Sequence, residues 1–232
     1  MVLLDLHKKI LRLYENNKMK RTNIKSQQTH FIGCWNLENN KLCNEITNFF
    51  ENNKNLQKPG ISGVGKNLKI KKTTDIRIDP RDLEKPKFEI LKQYINELHK
   101  CFLDYQSQWP FLKTMLKEVD ILRFNIGAYS SGDHFAKVHS ERTSLNTLHR
   151  LFAWMTYLSN VNEGGQTNFS HYGIKIKPET GKTLIWPAEW THAHTGEVLK
   201  SGTKYIVTGW INFSNTIVIE SRNESKVLPV RE

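Results

Sequence analysis

The stretch "KTLIWPAEWTHAHTGEVLKSGTKYIVTGWINF", Lys182 to Phe213, sets two apolar runs on either side of a polar segment. "KTLIWP" and "KYIVTGWINF" are short, rich in β-branched and aromatic residues and bounded by turn residues, so both read as strands. Between them, "THAHTG" places His192 and His194 two residues apart, a spacing that puts both side chains on one face of a strand.

Upstream, the same texture reaches back to Val119 through "VDILRFNI", "HFAKVHS", "RLFAWMTYL", "TNFSHY" and "GIKIKP". Many short strands at near-regular spacing predict an antiparallel sandwich or barrel. The first half reads differently. "NKLCNEITNFFENN" carries Leu42, Ile46, Phe49 and Phe50 at helical spacing, and Phe88, Leu91, Ile95, Leu98, Phe102 and Tyr105 mark one long amphipathic helix whose stripe packs on a sheet. "KIKKTTDIRI" alternates as a strand ending at Asp79-Pro80, and "LQKPGISGVGKN" is a loop. The fold class expected is therefore α+β, mainly β. Residues 1–28 read as an N-terminal amphipathic helix and linker, 29–118 as a supporting strand and helix region, 119–215 as the β core and 216–232 as a tail, with 28–215 forming one domain.

The 232 residues suffice for one substantial core. A net charge of +11 is spread among lysines and asparagines without an arginine-dense stripe, so it names no partner by itself. Cys34, Cys43 and Cys101 are too few and too scattered for a disulfide framework or a cysteine-based zinc site, which fits a reducing, cytoplasmic setting. Asp5, His7, Lys8 and Lys9 interrupt the apolar positions Leu3, Leu6, Ile10 and Leu13, so the first helix reads as one packing on its own protein or on a partner subunit, as in a homodimer, and not as a secretory signal. No apolar run reaches the ~18 residues of a membrane span.

"YSSGDHFAKVHSERTS" carries His139 and Glu141, again two apart and on one face if extended. Two imidazoles and one carboxylate form the facial set that leaves open positions on a non-haem Fe(II). A distant histidine from "THAHTG" would complete it, and a basic residue soon afterwards would offer a second cation for an anionic co-substrate.

These motifs, together with "MTYLSNVNEGGQTNF" and "SGTKYIVTGWI", occur in an order that resembles the 2-oxoglutarate and Fe(II)-dependent oxygenases of the prolyl 4-hydroxylase-like branch, over about the last two thirds of the chain. The resemblance implies a double-stranded β-helix, or jelly-roll, with Fe(II) held by His139, Glu141 and His194. In the collagen-type members the distal histidine precedes the 2-oxoglutarate-binding lysine by ten residues, as His194 precedes Lys204; His192, twelve before it, is the alternative and otherwise a pocket-lining or hydrogen-bonding neighbour. Lys204 and Tyr157 would hold the far carboxylate of 2-oxoglutarate, with Tyr129 a second tyrosine of that co-substrate pocket. The expected reaction consumes O2, admits ascorbate as a reductant, yields succinate and CO2, and hydroxylates a C–H bond, in this branch C4 of a peptidyl proline. Most of the superfamily carries Asp where Glu141 stands, one methylene shorter.

Gly164 and Gly165 read as the turn into the next strand. Arg142 reads either as a substrate contact or as one end of an exposed salt bridge. Arg150 and the tryptophans 154, 186, 190 and 210 line the pocket or fill the core, with core the expectation for the tryptophans. Other readings remain: an oxygenase acting on a nucleobase or a small molecule, a zinc hydrolase, or a non-catalytic jelly-roll binding module. Nucleic acid is disfavoured because arginines and aromatics do not interleave as single-strand grips do.

Overall fold

The computed structural model describes residues 20–214, apart from 26–28, 62–64, 66 and 117. The expected amphipathic helix of the first residues and the tail from 216 lie outside the described residues. In chain order the strands are β1 (Lys20–Arg21), β2 (Gly33–Asn36), β3 (Lys58–Pro59), β4 (Lys71–Lys72), β5 (Thr74–Ile78), β6 (Val119–Ile121) and β7 (Phe124–Tyr129). They continue with β8 (His134–His139), β9 (Arg150–Tyr157), β10 (Thr167–Phe169), β11 (Ile174–Ile176), β12 (Lys182–Pro187), β13 (His194–Gly196) and β14 (Lys204–Phe213). Three α-helices accompany them among the described residues: α1 (Asn40–Asn52), α2 (Glu89–Gln108) and α3 (Phe111–Met115).

A large sheet runs β1-β2-β12-β9-β14-β7-β5-β3, with β6 also on β14, and a smaller one runs β11-β10-β13-β8-β4; the pairings are antiparallel. This is the antiparallel arrangement that the strand spacing predicted, in the jelly-roll form that the resemblance implied. Both faces of the large sheet are buried, which explains why β9, "RLFAWMTY", reads as a continuous apolar run and not as an alternating one. Successive side chains serve opposite layers. Val207, Trp154 and Phe124 pack on one side with Leu91, Leu98 and Phe102 of α2, whereas Ile206, Tyr157 and Met155 pack on the other with Phe169 and Ile176 of the small sheet.

The helices follow their stripes. Asn39 caps α1, its side chain accepting from Leu42 N at 3.0 Å. On α2, Tyr94 and Cys101 join the expected apolar stripe, and the Tyr94 hydroxyl meets Thr156 Oγ1 of β9 at 2.7 Å, a buried polar contact that fixes the helix across the sheet. The three cysteines are free and buried.

Three expectations are corrected. "KIKKTTDIRI" is not one strand but two: β4 joins β8 in the small sheet and β5 joins β7 in the large one. Ile76 and Ile78 seek the helix-side core while Lys71 and Lys72 align on β8, so the chain bends at Thr73, whose hydroxyl donates to Asp75 at 2.8 Å. Lys20 and Arg21, read as linker, extend the sheet edge as β1, and Arg21 is held by Asp104 of α2 at 2.7 Å. Trp190 is not core. It sits 68% exposed in a 3-10 turn spanning Trp190–His192, outside both sheets.

Candidate active site

β8 and β13 are neighbours in the small sheet with His139 directly opposite His194. Their rings lie 4.3 Å apart. Glu141, just beyond the end of β8, is anchored because its own N–H and that of Arg142 donate to Ala188 O at 3.2 and 3.0 Å. Glu141 Oε1 therefore stands 3.7 Å from His139 Nε2 and 3.4 Å from His194 Nε2. One ligating atom from each of these three residues falls within 4.8 Å of the others.

The imidazoles are oriented by the backbone. Nδ1 of His139 donates to Lys137 O at 2.9 Å, and Nδ1 of His194 donates to His192 O at 2.9 Å. A carbonyl only accepts, so each Nδ1 carries the proton and each Nε2 turns a lone pair toward Glu141. Burial, reinforced by His194, pushes His139 down to about 4, so it is neutral near pH 7. Burial by itself raises the Glu141 carboxyl, but its close approach to the His194 and His139 imidazoles, with the hydrogen bond from Trp210, outweighs burial and keeps the group ionised. Two imidazole nitrogens and one carboxylate, preset at this spacing, fit a divalent first-row cation.

His192 takes no part in that cluster. It lies in the 3-10 turn, not on the strand expected for it, with Nε2 2.8 Å from His30 O and Nδ1 3.0 Å from Thr191 Oγ1. The turn ends at Ala193, so the two-residue alternation that would have aligned the histidines does not begin until His194.

Lys204 opens β14 opposite Tyr129 of β7 and is buried. Its Nζ donates to Gly165 O at 2.9 Å and lies 4.1 Å from the centre of the Tyr129 ring. Among the described residues no carboxylate forms an ion pair with it. Burial, only partly offset by Glu197, pushes its ammonium down to about 8. A buried cation left without a counter-charge is costly, and an anionic ligand would satisfy it. Gly165, with φ of 67°, presents the accepting carbonyl from a conformation that L side chains disfavour. Tyr157 faces the same interior, but its hydroxyl donates to Thr167 Oγ1 at 2.6 Å.

Arg150, left open between wall and core, and Trp210, expected in the core, both border Glu141. Trp210 Nε1 donates to Glu141 Oε2 at 2.7 Å; Arg150 donates to Glu141 O at 2.9 Å and stacks 3.7 Å above the Trp210 ring. The signal was in the strand period: positions 204, 206, 208 and 210 share one face of β14. Trp186 packs against His194, and Arg142 pairs with Glu189.

Residues 124–212 match the family model of the 2OG-Fe(II) oxygenase superfamily. Over this segment the chain is similar to that superfamily. The matched segment contains His139, Glu141, His194 and Lys204 together. Human procollagen-lysine,2-oxoglutarate 5-dioxygenase 2 is 30% identical over 129 residues, covering 50% of this chain but only 17% of its own length. Three solved structures share the fold. A Pseudomonas putida prolyl-4-hydroxylase has TM-score 0.60 at 17% identity, covering 80% of this chain and 94% of its own. The viral collagen prolyl hydroxylase of Paramecium Bursaria Chlorella virus-1, in a 2OG complex, has TM-score 0.58 at 16% identity, covering 79% and 96%. A Trichoplax adhaerens prolyl hydroxylase, in complex with a hypoxia inducible factor peptide fragment, has TM-score 0.61 at 16% identity, covering 79% and 84%. No described helix of the chain is long and apolar enough to cross a membrane.

Proposed function

We propose that this chain is a 2-oxoglutarate- and Fe(II)-dependent dioxygenase that hydroxylates peptidyl proline at C4. One observation carries the reading: a preset His-Glu-His cluster and a buried, unneutralised lysine line the same interior of a jelly-roll. His139, Glu141 and His194 would hold Fe(II), and Lys204, with the Tyr129 ring beside it and Tyr157 facing the same interior, would hold the far carboxylate of 2-oxoglutarate. When bound, the metal and 2-oxoglutarate supply the oxygen-activating chemistry that places one oxygen atom in a substrate C–H bond and leaves succinate and CO2.

The chain's own contribution is binding and orientation. Trp210 restrains one oxygen of Glu141 so that the other faces the two histidines, and the backbone carbonyls of Lys137 and His192 hold both rings in one tautomer. Phe135, stacked 3.8 Å from His139, and Phe169 and Trp186 beside His194 exclude water from the cluster. Lys204 pairs with a carboxylate as a point charge, which orients a dianion without a rigid fork. Proline as substrate rests on the prolyl hydroxylases that share the fold over about four fifths of the chain, one of them bound to a peptide. The human relative, a procollagen-lysine dioxygenase, makes lysine the competing target.

Anaerobic titration of metal-stripped protein with Fe(II) and 2-oxoglutarate tests this directly. The visible charge-transfer band of the chelate is expected in the parent and in His192→Ala, but not in His194→Ala. Mass spectrometry of proline and lysine peptides then reads the substrate. A folded parent without the band rejects the oxygenase reading.

A further inference from the structure

Beside the candidate active site lies an open groove of about 500 Å³. Arg77, Arg81, Arg123 and Arg150 line it, against the single carboxylate of Asp79. Asp79 is shared, at 3.0 Å from Arg81 Nε and 3.1 Å from Arg123 Nε. Arg150 lies on the Trp210 ring and pairs with Glu141 Oε2 at 3.7 Å, which leaves Arg77, Arg81 and Arg123 against Asp79, and Arg77 is exposed and makes no ion pair among the described residues. The groove therefore keeps an excess of positive charge.

Its position follows from strand register. Arg77 of β5 pairs with Asn125 of β7, Asn125 with Thr208 of β14, and Thr208 with Met155 of β9. Directly paired residues share a face, so this row crosses the inner face of the large sheet from the open edge to the buried core. Trp210 lies on the same face, two positions beyond Thr208, and touches Glu141 while also walling the groove. A chain lying in the groove would thus pass from the guanidinia directly to the cluster.

Resting on the oxygenase reading, we propose that this groove binds an acidic segment of the substrate polypeptide, placing carboxylates against Arg77 and its neighbours and the reacting residue at the cluster. Planar guanidinium forks match carboxylates well. Exposed Leu122 and the Trp210 edge give the intervening backbone an apolar floor. A nucleic-acid strand fits less well. The groove offers one indole, already covered on one side by Arg150, and successive bases need successive stacking surfaces.

The test uses fluorescein-labelled, proline-containing peptides of one length whose flanks carry Asp and Glu, Asn and Gln, or Lys, read by fluorescence anisotropy on the full chain at low and at physiological salt. The acidic peptide is expected to bind most tightly, to weaken with salt, and to lose about fivefold in affinity with Arg77→Ala and more with Arg77→Glu. The amide-flanked peptide should lose little in either variant. Equal binding of acidic and amide-flanked peptides, or an acidic preference that survives Arg77→Glu, overturns the proposal. So does a single-stranded oligonucleotide that displaces the acidic peptide at lower concentration. The Fe(II) and 2-oxoglutarate band of the parent separates the two ideas: a band without acidic preference sinks the groove proposal alone, whereas no band sinks the oxygenase reading.

Discussion

Glu141 has one methylene more than the aspartate common at its position, and the added freedom must be removed if its carboxylate is to meet two imidazoles. The Trp210 indole does this by holding Oε2 at 2.7 Å, leaving Oε1 for His139 and His194. Trp210→Phe keeps the ring and deletes the donor. Loss of such an outer partner costs about 10–100-fold in metal affinity, so competition with a chelator should show weaker Co(II) binding in the folded variant. Adding Glu141→Asp should change the size of that loss, because the shorter side chain no longer needs the same restraint. Lys204 carries the second prediction at this scale. Its ammonium is held down to about 8, so it is charged at pH 7 and increasingly neutral above pH 8. A bound carboxylate favours the charged form, hence 2-oxoglutarate affinity should fall as pH rises through and beyond 8, with uptake of up to one proton per ligand bound. The same depressed value means the free protein, considered for this group alone, gains stability between pH 8 and the usual lysine value, since the unfolded chain then holds more protons. Calorimetric titration in two buffers of different ionisation enthalpy would read the proton uptake.

At the scale of elements, the site is built by a floor and a brace. The floor is β14 with β7 and β9, and the brace is α2 on the far side of that sheet. Leu98 is buried in the brace, within the helix-side core and not in the core that holds Tyr157 and Phe169. Leu98→Ala should lower stability by about 2–5 kcal/mol in denaturant unfolding, while Co(II) affinity of the fraction that remains folded stays near the parent's. The helical stripe was legible because six apolar residues step by three and four, and α2 needs nothing distant to define its period. The split of "KIKKTTDIRI" into β4 and β5 was not legible. Both halves alternate alike, and only the two different neighbours, β8 and β7, tell them apart. The turn at Trp190–His192 was hidden for a similar reason, as "THAHTG" alternates in sequence although the backbone becomes extended only at His194.

Across the whole molecule, the cluster links β8, the segment after it and β13, so metal binding should stiffen the small sheet against the large one. A ligand at about a hundredfold excess over its Kd adds about 2.7 kcal/mol, worth roughly 5–10 °C in a domain of this size. Scanning calorimetry should show that upshift with Co(II) in the parent and none in His139→Ala. The strand-rich half, the helix-rich half, the His139 and Glu141 pair and the lysine ahead of the last strand could all be read from the chain, because each depends on spacing over a few residues or on the order of motifs. What the sequence alone could not decide was which residues stand next to one another across strands. The separation of His194 from His192, the indole of Trp210 on Glu141, and the row from Arg77 to Met155 all depend on register between segments far apart in the chain. Register is set by how both faces of the large sheet bury their side chains at once, and that condition exists only in the assembled core.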